Sequence, residues 1–301
     1  LCLTHEQRQS LKPGQYHVHI DAEHKPGTLT YGELVIPGES DDEIFISTYI
    51  CHPSMANNEL SGPVVATALA LWVQSRPHHY TYRFAFVPES IGAITYTSQR
   101  LQQLQDKVVA GFNLTCIGDD RAYTYLESRM GNLRIDRIAK RVLETKPNPR
   151  HYTYLHRGSD ERTYCAPGID LPLISLMRSR YGDYPEYHTS LDNLESVVTP
   201  SGLQGGFDFV RECITELEEV PVLTATCLAE PQLGRRNLYH SMLNKNTSEI
   251  VMLRTNILAY ADGHNSKDDI AEICGMPVGS IDATIDELMA AGLLTAALEK
   301  T

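Results

Sequence analysis

Four polar groups in this chain come directly after apolar runs that have the composition of buried strands. In chain order they are His52 after 44–50, Glu89 after 82–88, Asp119 and Asp120 after 108–118, and His188 with Asp192 after 171–177. Two imidazoles and a carboxylate suit a borderline-soft dication such as zinc, and a further Glu is the usual general base in a hydrolytic metal site. A single His or Glu in such a place is usually an ordinary loop residue. The joint placement of all four groups predicts a functional site.

The apolar runs alternate with segments of helical pattern, and this alternation is typical of βαβ units. The predicted helices are 61–76, 91–107, 132–145 and 200–220. Repeated βαβ units build a mostly parallel sheet that helices cover on both faces. Ligands bind such sheets beyond the carboxyl ends of the strands, which is where the four polar groups lie. We therefore predict an α/β fold with a mostly parallel sheet flanked by helices.

The N-terminal part of the chain has a different pattern. Segments 16–21 and 29–36 alternate polar and apolar residues, and the turn-forming sequence KPGT lies between them. This arrangement favours a β-hairpin or a small sheet. Because the chain begins at Leu1 and its first residues read like the middle of a domain, we expect N-terminal sequence to be missing.

A winged helix-turn-helix is predicted after 228–238, where the α/β pattern is interrupted. Its elements are a helix at 247–263, a helix at 266–275, and a helix followed by a hydrophobic strand within 280–297. A recognition helix that binds DNA would need basic residues. From Tyr239 to Thr301, however, the chain has four Lys or Arg against nine Asp or Glu. We therefore expect this domain to contact a protein partner or a second copy of the chain rather than DNA.

Composition excludes several other classes of protein. The formal net charge of −12 disfavours nucleic acid as the main partner. No run approaches the roughly 18 apolar residues of a membrane helix, and the polar first residues do not have the pattern of a signal peptide. The seven cysteines are scattered without a CxxC pair, which predicts a reduced, cytoplasmic protein. Cys51, beside His52, is interpreted as a buried thiol in preference to a ligand or nucleophile.

Five motifs occur in the order found in the di-zinc aminopeptidase superfamily. They are HPSMANNELSG, FVPESIG, FNLTCIG, GSDERTY with PGIDLP, and YHTSLDN. Over residues 40–220 the chain therefore resembles this superfamily of zinc aminopeptidases, glutamate carboxypeptidases and glutaminyl cyclases. It most resembles a bacterial aminopeptidase-like branch in which a winged helix follows the peptidase domain.

The resemblance also implies the division of the chain into domains. In that branch a small β domain is inserted into the peptidase fold, so the first segment would be its remainder. The predicted domains are a β-rich segment at 1–37, the aminopeptidase-like domain at 38–232 and the winged helix at 233–301.

The same resemblance implies a metal site that is only partly kept. The family's first and last metal-binding histidines match His52 and His188, and its general-base Glu matches Glu89. Asn58 stands where the family has the Asp that bridges two metals, and an amide supplies no charge to hold two dications together. The resemblance therefore implies one zinc ion, bound by His52, His188 and Asn58.

Two further acidic ligands of the family are absent, because Ser90 and Thr115 occupy their positions. Asp119 or Asp120, a turn after Thr115, is a weak candidate for compensation.

Asp160 in GSDERTY matches a family residue of the active-site network, which makes it a candidate catalytic residue that tunes the pKa of Glu89. A capping role for Asp160 at the next helix is an equal alternative. Candidates for contacting the oxyanion, by position alone, are Arg157, Arg162 and Tyr187.

The favoured function is a metal-dependent amide or peptide hydrolase that is aminopeptidase-like and acts on a small peptide or an aminoacyl conjugate. Metal-activated water would attack the amide, with Glu89 as general base. The alternative is a catalytically degenerate scaffold that keeps the peptidase fold and binds partners through its winged helix; the three replaced acidic ligands favour it. A transcriptional regulator with a ligand-sensing domain is opposed by the acidic winged helix.

Overall fold

The apolar runs of the sequence form the inner strands of a mostly parallel sheet. The structure, a computed structural model, describes residues 3–52, 54–236, 238–239 and 247–298. In this part of the chain the large sheet has the order β1-β3-β2-β4-β7-β5-β6. Its strands are β1 Gly32–Ile36, β2 Glu43–Tyr49, β3 Thr81–Val87, β4 Val108–Leu114, β5 Tyr123–Leu126, β6 Pro149–Tyr152 and β7 Leu173–Met177.

The four central strands run in one direction. β2 pairs in parallel with β3 on one side and with β4 on the other, and β4 pairs in parallel with β7. β1 is antiparallel to β3, and β5 is antiparallel to β7. Every residue of β2 is buried, as expected for a strand inside a parallel sheet covered on both faces. The carboxyl ends of β2, β3, β4 and β7 therefore lie at one edge.

Helices cover this sheet, and the prediction of a helix-flanked, mostly parallel α/β fold is confirmed. The helices are α1 His5–Ser10, α2 Ser61–Gln74, α3 Ile91–Lys107, α4 Arg134–Glu144, α5 Glu161–Tyr164 and α6 Pro200–Glu219. A π-helical turn, Ala56–Leu60, leads into α2. Among the residues that the structure describes, no helix combines the length and apolar character needed to cross a membrane.

Gly62 allows α2 to approach the sheet closely at the edge where the four strands end. A Cβ atom at this position would lie 2.3 Å from Thr48 Oγ1 and 2.5 Å from the carbonyl oxygen of Leu114. Both distances are shorter than any carbon–oxygen contact, so only glycine fits without a shift of β2 or β4. The glycine of the HPSMANNELSG motif thus sets the distance between the start of α2 and the strand ends.

Aromatic residues join α3 and α5 to the sheet. Phe45 of β2 stacks on Tyr96 of α3 with ring centroids 6.0 Å apart, and it meets the Tyr164 ring edge-on at 5.1 Å. The Tyr164 hydroxyl shares a hydrogen bond of 2.8 Å with Ser47 Oγ. Such aromatic pairs contribute about 0.5–1.5 kcal/mol beyond their area burial, and here they position the segment that carries Asp160.

The predicted N-terminal hairpin is wrong in its first strand. Residues 11–31 contain no strand, and Tyr16, Val18 and Ile20 are exposed. Only β1 forms, and it pairs with β3 instead, where Glu33 accepts a 2.6 Å hydrogen bond from Arg83 Nη1. Alternation creates an apolar face, but a strand gains stability from that face only when a neighbour buries it.

The chain divides into two compact units between Cys213 and Ile214, within α6. In its described residues the second unit contains a three-stranded antiparallel sheet of order β10-β8-β9 and three α-helices besides the end of α6. These elements are β8 Val222–Ala225, α7 Thr247–Tyr260, β9 Asp262–Ser266, α8 Lys267–Ile273, α9 Asp282–Ala290 and β10 Leu294–Ala297. Its core includes Ile257, Ile270 and Leu288. The predicted winged helix is confirmed.

The two positive charges of the segment 247–298 are paired with acids of α9. Within 247–298 the Lys and Arg residues are Arg254 and Lys267. Arg254 donates to Glu287 at 2.6–3.0 Å, and Lys267 Nζ lies 3.1 Å from Asp282 Oδ2. Contact of this surface with phosphates would first require breaking these pairs.

Candidate metal centre

His52 and His188 come together at the carboxyl edge of the sheet. His52 lies just beyond β2, and His188 lies in the segment after β7. Their ring centroids are 4.7 Å apart with planes tilted by 40°. Glu89, just beyond β3, contributes a carboxylate oxygen within 4.8 Å of a His52 ring nitrogen and of the Cys51 sulfur. Two imidazoles, a carboxylate and a thiol therefore share one small region.

A buried carboxylate orients the His52 ring. His52 Nδ1 hydrogen-bonds to Glu59 Oε1 at 2.6 Å, and the Cys51 backbone N–H donates to Glu59 Oε2 at 2.6 Å. The Glu59 side chain is 2% exposed. Burial raises the pKa of Glu59, and the hydrogen bond with His52 opposes this shift. A carboxylate on one ring nitrogen is the usual support of a metal-binding histidine, because it fixes the tautomer and the ring orientation.

Asp192 connects the π-helical turn with the segment that carries His188. Its Oδ1 accepts from the Asn57 backbone N–H at 2.7 Å, and its Oδ2 accepts from the Asn58 backbone N–H at 3.0 Å. The Tyr184 hydroxyl also donates to Oδ2, at 2.9 Å. The carboxylate is completely buried. Asp192 thus holds the two histidine-bearing segments in one arrangement.

The Asn58 amide is fixed at its donor end only. Asn58 Nδ2 donates to the Tyr49 hydroxyl at 2.8 Å and lies 3.6 Å from Cys116 Sγ. Its Oδ1 is buried and has no hydrogen-bond partner among the residues that the structure describes. A buried acceptor without a partner costs about 1–3 kcal/mol, so this oxygen is suited to receive a ligand.

The backbone after Glu89 is strained and is held by Asp160. Ser90 has φ = 60° and ψ = −70°, which is unfavourable for a residue with a side chain. Its N–H donates to Asp160 Oδ1 at 2.8 Å. Strained residues of this kind cluster at functional sites, where the surroundings impose them.

Asp160 occupies the N-cap position of α5, but its side chain makes no capping hydrogen bond there. Its Oδ2 is buried without a partner in the described part of the chain. Burial, together with the neighbouring carboxylate of Glu89, raises the pKa of Asp160 to about 7. Burial and the carboxylate of Glu59 raise the pKa of Glu89 as well. The two acids therefore lie close enough to influence each other's protonation.

Asp119 and Asp120 accept hydrogen bonds from residues of the segments around the site. Asp119 is buried, and its two oxygens accept from the backbone and hydroxyl of Ser179, from Asn57 Nδ2 and from the Arg121 backbone N–H. Asp120 accepts from the hydroxyls of Thr199 and Ser201. Both oxygens of Asp119 are therefore engaged by loop donors, whereas both hydrogen bonds to the exposed Asp120 end on its Oδ2. Thr115 hydrogen-bonds to the Tyr49 hydroxyl at 2.5 Å.

Arg162 and Tyr187 lie beside the site, whereas Arg157 does not. Arg162 Nη2 donates to Ser90 Oγ at 3.0 Å, and its positive charge lowers the pKa of Glu89 in part. The Tyr187 ring stacks on His188 with centroids 3.9 Å apart. Arg157 instead lies over the Tyr154 ring at 4.8 Å. Of the three residues predicted to contact the oxyanion, Arg162 and Tyr187 therefore have suitable positions.

Cys51 is exposed rather than buried, which corrects the interpretation of its thiol from sequence. Partial burial and the carboxylates of Glu59 and Glu89 raise the pKa of this thiol to about 11. Cys51 lies two positions after Tyr49, the last buried residue of β2, and Ile50 between them is exposed as well. The sequence analysis missed Glu59 as a functional residue, and it missed the role of Asp192 as an anchor. The only available signal for Glu59 was the presence of an acid seven residues after His52.

Comparison with known proteins agrees with this architecture. A family model described as a domain of unknown function, DUF4910, matches residues 13–220, and a winged helix-turn-helix model matches residues 221–296. A Clostridium acetobutylicum protein is 37% identical over 297 residues, which cover 97% of this chain and 67% of that protein. Its name assigns it an aminopeptidase-like domain and, provisionally, polysaccharide biosynthesis.

Two solved structures are similar to this chain in fold. The crystal structure of a C. acetobutylicum protein, described provisionally as a peptidase, has a TM-score of 0.71 at 36% identity and covers 98% of this chain and 67% of that one. A Bacillus subtilis zinc aminopeptidase has a TM-score of 0.52 at 17% identity, covering 62% of this chain and 49% of that chain. This second likeness concerns the fold alone. The chain belongs to the DUF4910 family, with an aminopeptidase-like fold followed by a winged helix-turn-helix.

Proposed function

We propose that this chain is a metal-dependent amide or peptide hydrolase that binds one zinc ion through His52, His188 and Asn58. The observation that supports this most is the pair of adjacent imidazoles, one of which carries a buried carboxylate on its Nδ1 atom. The unpartnered Asn58 Oδ1 is a further donor of suitable type. Zinc at such a site supplies Lewis acidity, which lowers the pKa of water and polarises a carbonyl group.

The protein's own residues would carry the proton transfers. Glu89 takes a proton from the attacking water and delivers it to the nitrogen of the leaving amine, so that one amide bond is exchanged for an acid and an amine. Asp160 holds the Ser90 backbone and thereby positions Glu89. The Arg162 guanidinium, anchored on Ser90 Oγ, is the candidate group to stabilise the developing oxyanion. A small peptide or an aminoacyl conjugate is the proposed substrate.

Metal content tests this proposal directly. Elemental analysis of untagged protein should find about one zinc per chain, as expected for a single site with three protein ligands. The double variant His52→Ala/His188→Ala should lose it. A matched control, His156→Ala/His264→Ala, removes two exposed histidines outside the site and should keep the metal. Protein that binds no zinc, even after incubation with the ion, would contradict the proposal.

The carboxylate behind His52 should tune metal affinity. We expect Glu59→Gln to raise the dissociation constant for zinc by about 10–100-fold, because the amide carries no charge and its single oxygen cannot serve both the His52 ring and the Cys51 N–H. Competition with a chromophoric chelator measures this constant.

Glu127→Gln is the matched control for that substitution. Glu127 forms a His–carboxylate pair with His151 at 2.8 Å, away from His52 and His188. Equal affinities in Glu59→Gln and wild type would show that the ring does not bind the metal.

A second candidate function is a scaffold that keeps the fold without turnover. It is supported by the replacement of acidic ligands at Asn58, Ser90 and Thr115, and by the engagement of Thr115 with Tyr49. In this case the winged helix, in which Arg254 and Lys267 are paired with acids of α9, would be the surface for a protein partner or a second copy of the chain. Absence of zinc binding would favour this candidate.

A further inference from the structure

The Cys51 thiol lies next to one of the proposed zinc ligands, His52. In the described part of the chain, Cys51, His52 and Glu89 form the group whose potential metal-binding atoms lie within 4.8 Å of one another. The Cys51 side chain is exposed, and its thiol hydrogen-bonds to the Glu89 side chain. Its backbone is fixed, because its N–H donates to the same Glu59 carboxylate that holds His52.

The ligand set of the proposed function lacks negative charge. Two neutral imidazoles and an amide oxygen would leave a dication uncompensated, whereas catalytic zinc sites commonly include a thiolate or carboxylate among their three protein ligands. Asp119 is fully engaged with loop donors, and Glu89 is needed as the base. A thiolate is also a strong zinc ligand.

The surroundings of Cys51 favour a cation. The Glu59 carboxylate accepts from the Cys51 backbone N–H at 2.6 Å, and a carboxylate oxygen of Glu89 lies within 4.8 Å of the Cys51 sulfur. Two acids this close to one sulfur atom attract a dication to the position next to it. A bound dication would therefore compensate the sulfur and the acids together.

We propose that Cys51 Sγ is the anionic ligand of the metal site, beside His52. This inference rests on the proposed function, since it assumes that the site binds a metal. On binding, the bond between sulfur and the metal forms, the S–H bond breaks, and the proton leaves to solvent. Glu89 keeps its role as the base next to this site.

Cobalt(II) tests the sulfur ligand without any assay of activity. Full-length protein freed of metal by a chelator is titrated with Co²⁺, and near-ultraviolet absorbance reports the charge-transfer band of a sulfur–cobalt bond. Visible absorbance and elemental analysis report bound cobalt independently. We expect the wild type to show the charge-transfer band and Cys51→Ser to lose it.

The variant should also bind zinc more weakly. We expect its dissociation constant to rise by at least about 100-fold, since loss of a group that only supports a ligand already costs about 10–100-fold. Cys274→Ser is the control, because Cys274 is a half-exposed thiol of the winged-helix unit; it should keep the band and the affinity. Circular dichroism checks that each variant is folded.

The outcomes separate the two proposals. Bound cobalt without a sulfur band in the wild type, or a band that persists in Cys51→Ser, would overturn the role of Cys51 and leave the metal site standing. Failure of the wild type to bind either Co²⁺ or Zn²⁺ would overturn both. The inference is supported if Cys51→Ser loses the sulfur–cobalt charge-transfer band while the control, Cys274→Ser, still binds cobalt.

Discussion

Glu89→Gln should lower kcat by about 10²–10⁴-fold, the usual contribution of a positioned general base, while the protein keeps its metal. The glutamine has nearly the same shape but cannot accept the proton of water. Because Glu89 lies next to Ser90, whose N–H is held by Asp160, the substitution should leave the local backbone in place. Hydrolysis of a panel of aminoacyl 4-nitroanilides and dipeptides measures the rate, and elemental analysis measures the metal.

An exposed acid provides the control for that change. Glu195→Gln removes the same charge from a residue that lies at the surface, and its rate should equal that of the wild type. Loss of zinc together with activity in Glu89→Gln would identify Glu89 as a ligand rather than the base. Undiminished turnover would eliminate it from the mechanism.

Asp192→Ala should reduce the free energy of unfolding of the first unit by about 2–6 kcal/mol, since it leaves two buried backbone N–H groups without an acceptor and each costs about 1–3 kcal/mol. The lost acceptor serves two backbone N–H groups, those of Asn57 and Asn58, and the Tyr184 hydroxyl. Urea unfolding followed by tryptophan fluorescence suits this measurement, because the single tryptophan of the chain, Trp72, lies in α2.

Asp120→Ala is the matched control for Asp192. Asp120 also accepts from hydroxyl groups, those of Thr199 and Ser201, but it is exposed, so water replaces the lost acceptor. We expect a change within about 0.5 kcal/mol. If Asp192→Ala changed the free energy of unfolding as little as Asp120→Ala, water would have to reach the Asn57 and Asn58 amides. Asp192 would then not be the residue that joins the two histidine-bearing segments.

The long apolar runs were reliable guides to the inner sheet. The predicted strands at 44–50, 82–88 and 171–177 correspond to β2, β3 and β7, because a strand buried on both faces must be apolar along its whole length. The short strands β5, β6 and β8 were missed. Each has four residues, and β6, with the sequence PRHY, is exposed along most of its length, so no apolar pattern marked it.

The candidate site was predictable in its residues but not in its connections. His52, Glu89 and His188 could be named in advance, because parallel strands end at one edge and polar residues after them must gather there. The His52–Glu59 pair was missed, since it depends on the path of the π-helical turn. The exposure of Cys51 likewise depends on where the chain leaves β2, and sequence alone suggested the opposite.

The chain by itself therefore determined the α/β class, the winged helix and the edge at which chemistry-bearing side chains meet, since periodicity and strand direction are local properties. Tertiary structure alone decided which acid supports His52, which oxygens of Asn58 and Asp160 stay without partners, and which acids are engaged by loop donors. The physical reason is that hydrogen bonds such as those from the Asn57 and Asn58 N–H groups to Asp192 join positions far apart in the chain. Their geometry follows from the packing of loops on the sheet, which no pattern of nearby residues records.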